Sequence, residues 1–173
     1  MIDNHLIDSI NKTDSLKLHK PVKQDVVFTC DQPWEGNFSG SVTFIQDQDK
    51  YRMYYRGASW PWSPESSHLC YAESSDGIKW DRPRLNLVEH NGSKDNNIVM
   101  IKTDMERWLH APHHLCVFLD KNPDTPPSER YKATGGLPLR AWISENGFDW
   151  KLARREPIVR NSYFDTLNTC VWD

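Results

Sequence analysis

The feature that most constrains the fold is a heptapeptide that occurs once in each half of the chain. It reads Ser74-Ser75-Asp76-Gly77-Ile78-Lys79-Trp80 and then Ser144-Glu145-Asn146-Gly147-Phe148-Asp149-Trp150. Asp-Gly and Asn-Gly favour tight turns between antiparallel strands, because both residues accept positive φ. Each copy is predicted to form a two-residue type I′ hairpin, with the Trp packing back over the turn. The repeat predicts a sheet unit used more than once, and two unrelated hairpins are the alternative.

Strand-like segments surround both copies of this heptad. In the first unit, strands are predicted at 24–30, 41–46, 51–57, 68–73 and 97–102, with a short strand beginning at Lys79. In the second unit they are predicted at 113–119, 129–133 and 139–144, and residues 166–172 are predicted to begin a third. The strands at 41–46, 51–57 and 68–73 and the short strand from Lys79 are four antiparallel strands in series, and such a set describes one propeller blade.

The predicted fold class is therefore all-β, a β-propeller. Blade 1 covers about 25–100, blade 2 about 110–160, and the start of blade 3 about 163–173. Residues 1–24 are predicted to be an extension that covers or closes the propeller. Propellers have about four to eight blades. The chain is thus expected to be the N-terminal portion of a longer protein that supplies the missing blades, and a small β-sandwich is the alternative.

Net charge and composition indicate which classes of binding partner to expect. The 173 residues carry a net charge of −3, and 12% are aromatic, including eight Trp. This charge favours neither nucleic acid nor an anionic membrane, so neither is expected as a partner. The N-terminus lacks a signal-peptide pattern. The protein is predicted to be cytoplasmic if that terminus is native, and periplasmic or secreted if it was trimmed.

The four cysteines form no Cys-x-x-Cys pair. They are Cys30, Cys70, Cys116 and Cys170, and three of them lie in strand-like stretches. Free thiols are favoured over disulfides, and the spacings do not suit zinc. No metal and no cofactor is expected.

Several motifs resemble the arabinanase/levansucrase/invertase superfamily, and more narrowly its uncharacterised bacterial glycosyl hydrolases of the family 32/43 type. They are Asp31-Gln32-Pro33-Trp34-Glu35-Gly36, Tyr51-Arg52-Met53-Tyr54-Tyr55-Arg56-Gly57, the stretch from Tyr71 to Trp80, Phe118-Leu119-Asp120-Lys121-Asn122-Pro123, Glu129-Arg130-Tyr131-Lys132-Ala133, and Phe164-Asp165 followed by Asn168. The resemblance implies a five-bladed propeller whose central funnel carries catalytic carboxylates.

Hydrolysis of a glycosidic bond needs two carboxyl groups flanking it. Glu35 and Asp165 precede the first and third inner strands and are the predicted catalytic pair. Trp34, His110, His113 and Asn168 are the predicted substrate-binding residues. The alternatives are a Trp and Glu that serve the core, a turn-forming Asp165, and histidines without a role in the site.

Other conspicuous residues are expected to be structural. Asp76 and Asn146 are interpreted as turn residues, and Asp47, Asp120 and Asp173 as turn formers after strands. Arg52 and Arg130 are placed at equivalent points of two blades and are predicted to pair between strands. Trp60 and Trp62 either line a sugar subsite or cap the blade.

The predicted function is a glycoside hydrolase, or a fragment of one, acting on a plant or algal polysaccharide or oligosaccharide. A non-catalytic carbohydrate-binding or scaffold propeller is the first alternative. A β-sandwich interaction module that binds no sugar is the second.

Overall fold

The computed structural model describes residues 17–61, 67–101, 114–136, 138–160, 164 and 166–172. Within them the regular structure is all-β apart from one turn of 3-10 helix at Pro127–Glu129. The strands are β1 (Gly40–Asp47), β2 (Lys50–Ala58), β3 (Ser67–Ser74), β4 (Ile98–Ile101), β5 (Cys116–Leu119), β6 (Tyr131–Gly135), β7 (Arg140–Ser144) and β8 (Lys151–Leu152). None of the described residues forms a helix long and apolar enough to cross a membrane.

The strands form two antiparallel sheets of four, in the orders β1-β2-β3-β4 and β5-β6-β7-β8. The prediction of an all-β chain built from two strand units is thus confirmed. Tyr51 lies opposite Ser74 in the first sheet, and Tyr131 lies opposite Ser144 in the second. The two heptads therefore begin at the same point of each sheet. The two sheets form no closed ring.

This register corrects the equivalence predicted for two arginines. Counted from the paired tyrosines, Arg130 corresponds to Lys50, and Lys132 corresponds to Arg52. Arg52 and Arg130 nevertheless converge on one carboxylate, because both form ion pairs with Asp47. The prediction that they occupy equivalent positions is wrong, since it matched the arginines rather than the tyrosines beside them.

The two heptads fold alike, but not as type I′ hairpins. Gly77 and Gly147 have positive φ of 73° and 83°, whereas Asp76 and Asn146 before them do not. Instead, the side-chain oxygen of Asp76 or Asn146 accepts hydrogen bonds of 2.8–2.9 Å from the two backbone N–H groups after the glycine. These side-chain hydrogen bonds thus close the turn, whereas a type I′ turn would need positive φ at both central residues.

The Ser and Trp of each heptad complete the turn. Ser74 and Ser144 accept the N–H of the heptad glycine at 2.9 and 3.0 Å. Trp80 and Trp150 donate their indole N–H to the carbonyl of the same glycine at 3.1 and 2.9 Å. The predicted packing of each Trp over its turn is therefore confirmed, and the Ser, Gly and Trp that are identical in the two copies all serve one turn geometry.

Three predicted strands are absent. Residues 24–30 form no strand; Phe28 instead packs its ring edge-on against Tyr55, with ring centroids 5.2 Å apart. The strand predicted from Lys79 is reduced to a single bridge between Glu73 and Asp81, because β4 occupies the outer edge of the first sheet. Residues 166–172 are also irregular.

The two sheets bury a common core. From the first sheet it includes Tyr54, Leu69 and Tyr71, and from the second Val117 and Tyr131. A second cluster covers the opposite face of the first sheet and consists of Met53, Tyr55, Cys70, Ala72 and Ile98, with Phe28, Trp34, Trp80 and Val88 against it. The first sheet is therefore apolar on both faces.

Asp47 joins the two sheets. It is buried at the end of β1 and accepts hydrogen bonds from Arg130 and from the hydroxyl of Tyr131 in the second sheet, and it pairs with Arg52 at 2.9 Å. Asp47 therefore serves the junction between the sheets. Asp120 does form a turn, accepting the N–H of Asn122 at 2.9 Å. Asp173 lies outside the described residues.

Candidate functional site

Two residues with strained backbone lie near the starts of the first strands of the two sheets: Ser41 is the second residue of β1, and His114 lies two residues before β5. Ser41 and His114 have φ of 51° and 54°, a region that non-glycine residues rarely adopt. Both stand six residues before the aspartate that follows or ends the strand, Asp47 or Asp120. Such strain costs about 1–3 kcal/mol per residue and concentrates at functional sites. The same strain thus recurs at this end of β1 and β5, which makes it a candidate functional site.

The side chains of these two residues meet there. Oγ of Ser41 lies 2.5 Å from Nδ1 of His114, and Nη1 of Arg56 lies 3.3 Å from Nε2 of the same ring. Because a guanidinium only donates, Nε2 is the acceptor, so the proton sits on Nδ1 and is donated to Ser41. His114 in this tautomer does not activate Ser41 as a nucleophile. The arrangement suits binding rather than nucleophilic catalysis by the serine.

Two aromatic rings extend this group towards solvent. The Arg56 guanidinium lies 5.2 Å from the centroid of the Phe38 ring, and that ring lies 6.2 Å from the ring of Trp60. The Trp60 backbone N–H donates to Oδ1 of Asn37 at 2.7 Å, which fixes the tryptophan in place. Arg56 is 5% exposed, whereas Phe38 is 50% and Trp60 66% exposed. We call Ser41, Arg56, His114, Phe38 and Trp60 the Arg56 cluster.

Glu35, a predicted catalytic residue, is fully buried and held by protein groups. Its carboxylate accepts the backbone N–H of Gln32 at 2.9 Å, the hydroxyl of Tyr55, and Nε and Nη2 of Arg82 at 2.8 and 3.2 Å. Burial and the nearby carboxylate raise the pKa of Tyr55, so this phenol stays a donor. Catalysis by Glu35 stays a prediction, and the contacts observed are those of a structural ion pair.

Trp34 belongs to the same buried network. Its indole N–H donates to Oδ1 of Asn97 at 2.6 Å, and Nδ2 of Asn97 donates to the Tyr55 hydroxyl at 2.7 Å and to the carbonyl of Tyr71 at 2.6 Å. Gly57 lets the Trp34 loop approach β2, because a Cβ there would lie 2.9 Å from the Trp34 carbonyl oxygen. The structure thus brings the predicted residues Trp34 and Glu35 together.

The Glu35 network and the Arg56 cluster lie on opposite faces of the first sheet. Successive side chains of a strand point to opposite faces. Tyr55 binds Glu35 on one face, and its neighbour Arg56 contacts His114 on the face towards the second sheet. Glu35 is therefore not part of the Arg56 cluster.

The other predicted site residues are less informative. Asn168 is half-buried. Its side-chain amide donates to the backbone carbonyl of Thr166 at 3.1 Å, and its backbone carbonyl accepts a hydrogen bond from the Thr134 hydroxyl at 2.8 Å. His110, His113 and Asp165 lie outside the described residues, as does Trp62.

Sequence reasoning missed Ser41, Arg56 and His114. The signal for Arg56 was available, because a strand from Tyr51 to Gly57 places Arg52 and Arg56 on one face. The prediction named His113 rather than its neighbour His114. Nothing in the sequence singled out Ser41, whose importance comes from its backbone conformation.

The described residues contain no group of three or more His, Cys, Asp or Glu side chains placed to hold a metal ion. Comparison of the chain with protein-family models, curated proteins and solved structures finds no match. The functional assignment therefore rests on the geometry of the site and on the resemblance of the motifs.

Proposed function

We propose that this chain binds a carbohydrate at the Arg56 cluster, and that its two sheets are the first blades of a five-bladed propeller. The observation that carries the proposal is the continuous row of Trp60, Phe38 and Arg56 leading to the Ser41–His114 pair. A sugar ring presents apolar C–H faces and polar hydroxyl edges. The exposed aromatic rings match the faces, and the guanidinium and the Ser41 hydroxyl match the edges.

Glycoside hydrolysis is a second proposal, and it rests on the resemblance of the motifs. Its predicted carboxyl pair is Glu35 and Asp165. For Glu35 to act, its contacts with Arg82 and Tyr55 would have to open to substrate, because the carboxylate is fully buried. The exposed rings of Trp60 and Phe38 need no such opening to contact a sugar, and carbohydrate binding is the function that the described geometry supports best.

The test is binding to a panel of immobilised plant and algal glycans. The unaltered chain is expected to retain at least one glycan, and Trp60→Ala is expected to weaken that binding about fivefold, since a stacked aromatic ring contributes about 1 kcal/mol. Trp172→Ala is the matched control, because it removes a tryptophan that is 50% exposed and outside the Arg56 cluster. Equal binding by both variants would contradict the assignment of the site.

The same panel separates the alternatives. Release of reducing ends that is abolished in Glu35→Gln, with glycan binding and fold retained, would support hydrolysis. Binding without release supports the carbohydrate-binding propeller. Retention of no glycan at all would leave the interaction module and overturn the proposed function.

A further inference from the structure

Two cysteines distant in sequence lie on one face of the second sheet. Cys116 on β5 is directly opposite Thr134 on β6. Paired residues of an antiparallel sheet share a face, with Cβ atoms about 5 Å apart. The Thr134 hydroxyl lies 3.5 Å from Sγ of Cys170 and also donates to the carbonyl of Asn168 at 2.8 Å. Cys170 is therefore positioned above the Cys116–Thr134 pair.

The pKa of Cys116 also reflects the closeness of Cys170. Burial raises the pKa of the Cys116 thiol, and the neighbouring backbone N–H of Cys170 acts against that rise. Both residues line a groove of about 470 Å³ between β1, β5 and the segment 167–172. Both thiols are free. A disulfide requires the two Cα atoms to lie about 4.4–6.8 Å apart, and Cys116 and Cys170 both adjoin Thr134.

We propose that Cys116 and Cys170 are a modification site, a thiol pair that closes reversibly to a disulfide and fastens segment 166–172 to the second sheet. That segment forms no strand, so the crosslink would add a covalent attachment where regular backbone pairing is absent. The proposal rests on the packing of β5, β6 and this segment, and is independent of the proposed function.

The oxidant is a low-molecular-weight disulfide such as oxidised glutathione. The Cys170 thiolate attacks one of its sulfurs, forming a mixed disulfide and releasing one reduced glutathione. The Cys116 thiolate then attacks the Cys170 sulfur, which forms the protein disulfide and releases a second. Two electrons pass to the glutathione disulfide, and the two protons lost by the cysteines are taken up by the released thiolates. Cys170 attacks first, because it is half-buried whereas burial raises the pKa of Cys116.

The experiment uses the full chain with Cys30→Ser, because Cys30 is exposed and would compete for the oxidant. The protein is equilibrated at low concentration with a mixture of oxidised and reduced glutathione, alkylated, digested with trypsin and analysed by mass spectrometry. Trypsin releases Cys116 in peptide 108–121 and Cys170 in peptide 161–173. The expected product is these two peptides joined within one chain, and separated again by a reducing agent.

Two variants make the outcome decisive. Cys116→Ser is expected to trap Cys170 as the mixed disulfide with glutathione, and Cys170→Ser to leave Cys116 mostly reduced, with near-unchanged circular dichroism in both. Persistent glutathione on Cys170 while Cys116 is present, linkage of Cys116 or Cys170 to Cys70, or a crosslink found only between chains would each overturn the proposal.

Discussion

The pairing of Glu35 with Arg82 shows how one carboxylate can be fixed in an apolar face. The carboxylate has no exposed surface, and the guanidinium reaches it with two nitrogens while also stacking 4.1 Å from the Phe28 ring centroid. An unpaired charge at this depth would be costly. The pair therefore fixes the loop that precedes β1 against the first sheet.

We expect Arg82→Met to lower the free energy of unfolding by about 3 kcal/mol, because it leaves the Glu35 carboxylate buried without its cation. In Glu35→Gln/Arg82→Met the loss should be smaller than the sum of the two single losses, since the partners are coupled. Urea unfolding followed by circular dichroism measures all three variants. A loss below about 0.5 kcal/mol in Arg82→Met would contradict a structural role for the pair.

For individual residues, the sequence predicted spatial proximity only between residues that are adjacent in the chain. Trp34 and Glu35 are neighbours in the chain, and both join one buried network. Their partners Arg82 and Asn97 lie in the connection between β3 and β4. No local sequence pattern predicts contacts between segments that are so far apart in the chain. Ser41 was missed for a related reason, because its positive φ depends on how β1 enters the sheet.

Each heptad works as a unit in which three side chains close one turn. The carboxylate or amide oxygen binds the backbone after the glycine, the serine binds the glycine N–H, and the indole binds the glycine carbonyl. The same contacts recur in the second copy. The turn is thus determined by side chains rather than by backbone preference alone.

We expect Ser74→Ala and Ser144→Ala each to lower the free energy of unfolding by about 1–2 kcal/mol, because each leaves a glycine N–H without its acceptor. Ser128→Ala, at an exposed position, is the control and should stay within about 0.5 kcal/mol of the parent. Thermal or urea unfolding measures the three variants. Losses confined to one heptad would show that the two turns are not equivalent.

The repeat located the element correctly, but not its turn type. Asp-Gly and Asn-Gly occur both in type I′ turns and in turns closed by the side chain, so the dipeptide alone does not separate them. The neighbouring strands were found because β-branched and aromatic residues alternate there. The segment 24–30 forms no strand: only Phe28 packs onto the face built by β2 and β3, whereas Val26 and Val27 are exposed.

For the molecule as a whole, Asp47 is the polar link between the sheets. Burial alone would raise its pKa, but the hydrogen bonds from Tyr131 and Arg130 and the charge of Arg52 lower the pKa below its ordinary value. A carboxyl group with a lowered folded-state pKa stabilises the protein above its ordinary pKa, about 3.9. That stabilisation is lost as the pH falls through the folded-state pKa.

We therefore expect Asp47→Asn to destabilise the protein near neutral pH and to have a progressively smaller effect as the pH falls below about 4. The measurement is the free energy of unfolding of the parent and the variant at a series of pH values. Asp124→Asn, at an exposed loop position, serves as the control. A difference between parent and Asp47→Asn that does not change with pH would contradict this account.

The sequence predicted two successive antiparallel units, and the sheets confirm them. It could not predict that Asp47 would meet Arg130, because a contact between sheets depends on how far one is rotated against the other. The propeller itself stays a prediction for the same reason. Two sheets define one angle between neighbouring sheets, whereas a closed propeller requires the same angle between every pair of neighbouring blades.

The neighbouring positions of Tyr55 and Arg56 constrain the pairing register of β2 in the first sheet. One side chain satisfies a buried carboxylate on one face, and the next satisfies an imidazole on the other. If β2 paired one residue out of step, the phenol and the guanidinium would exchange faces and both sites would lose their partners. Tyr55 and Arg56 together therefore favour the native register of β2, because only that register satisfies both sites.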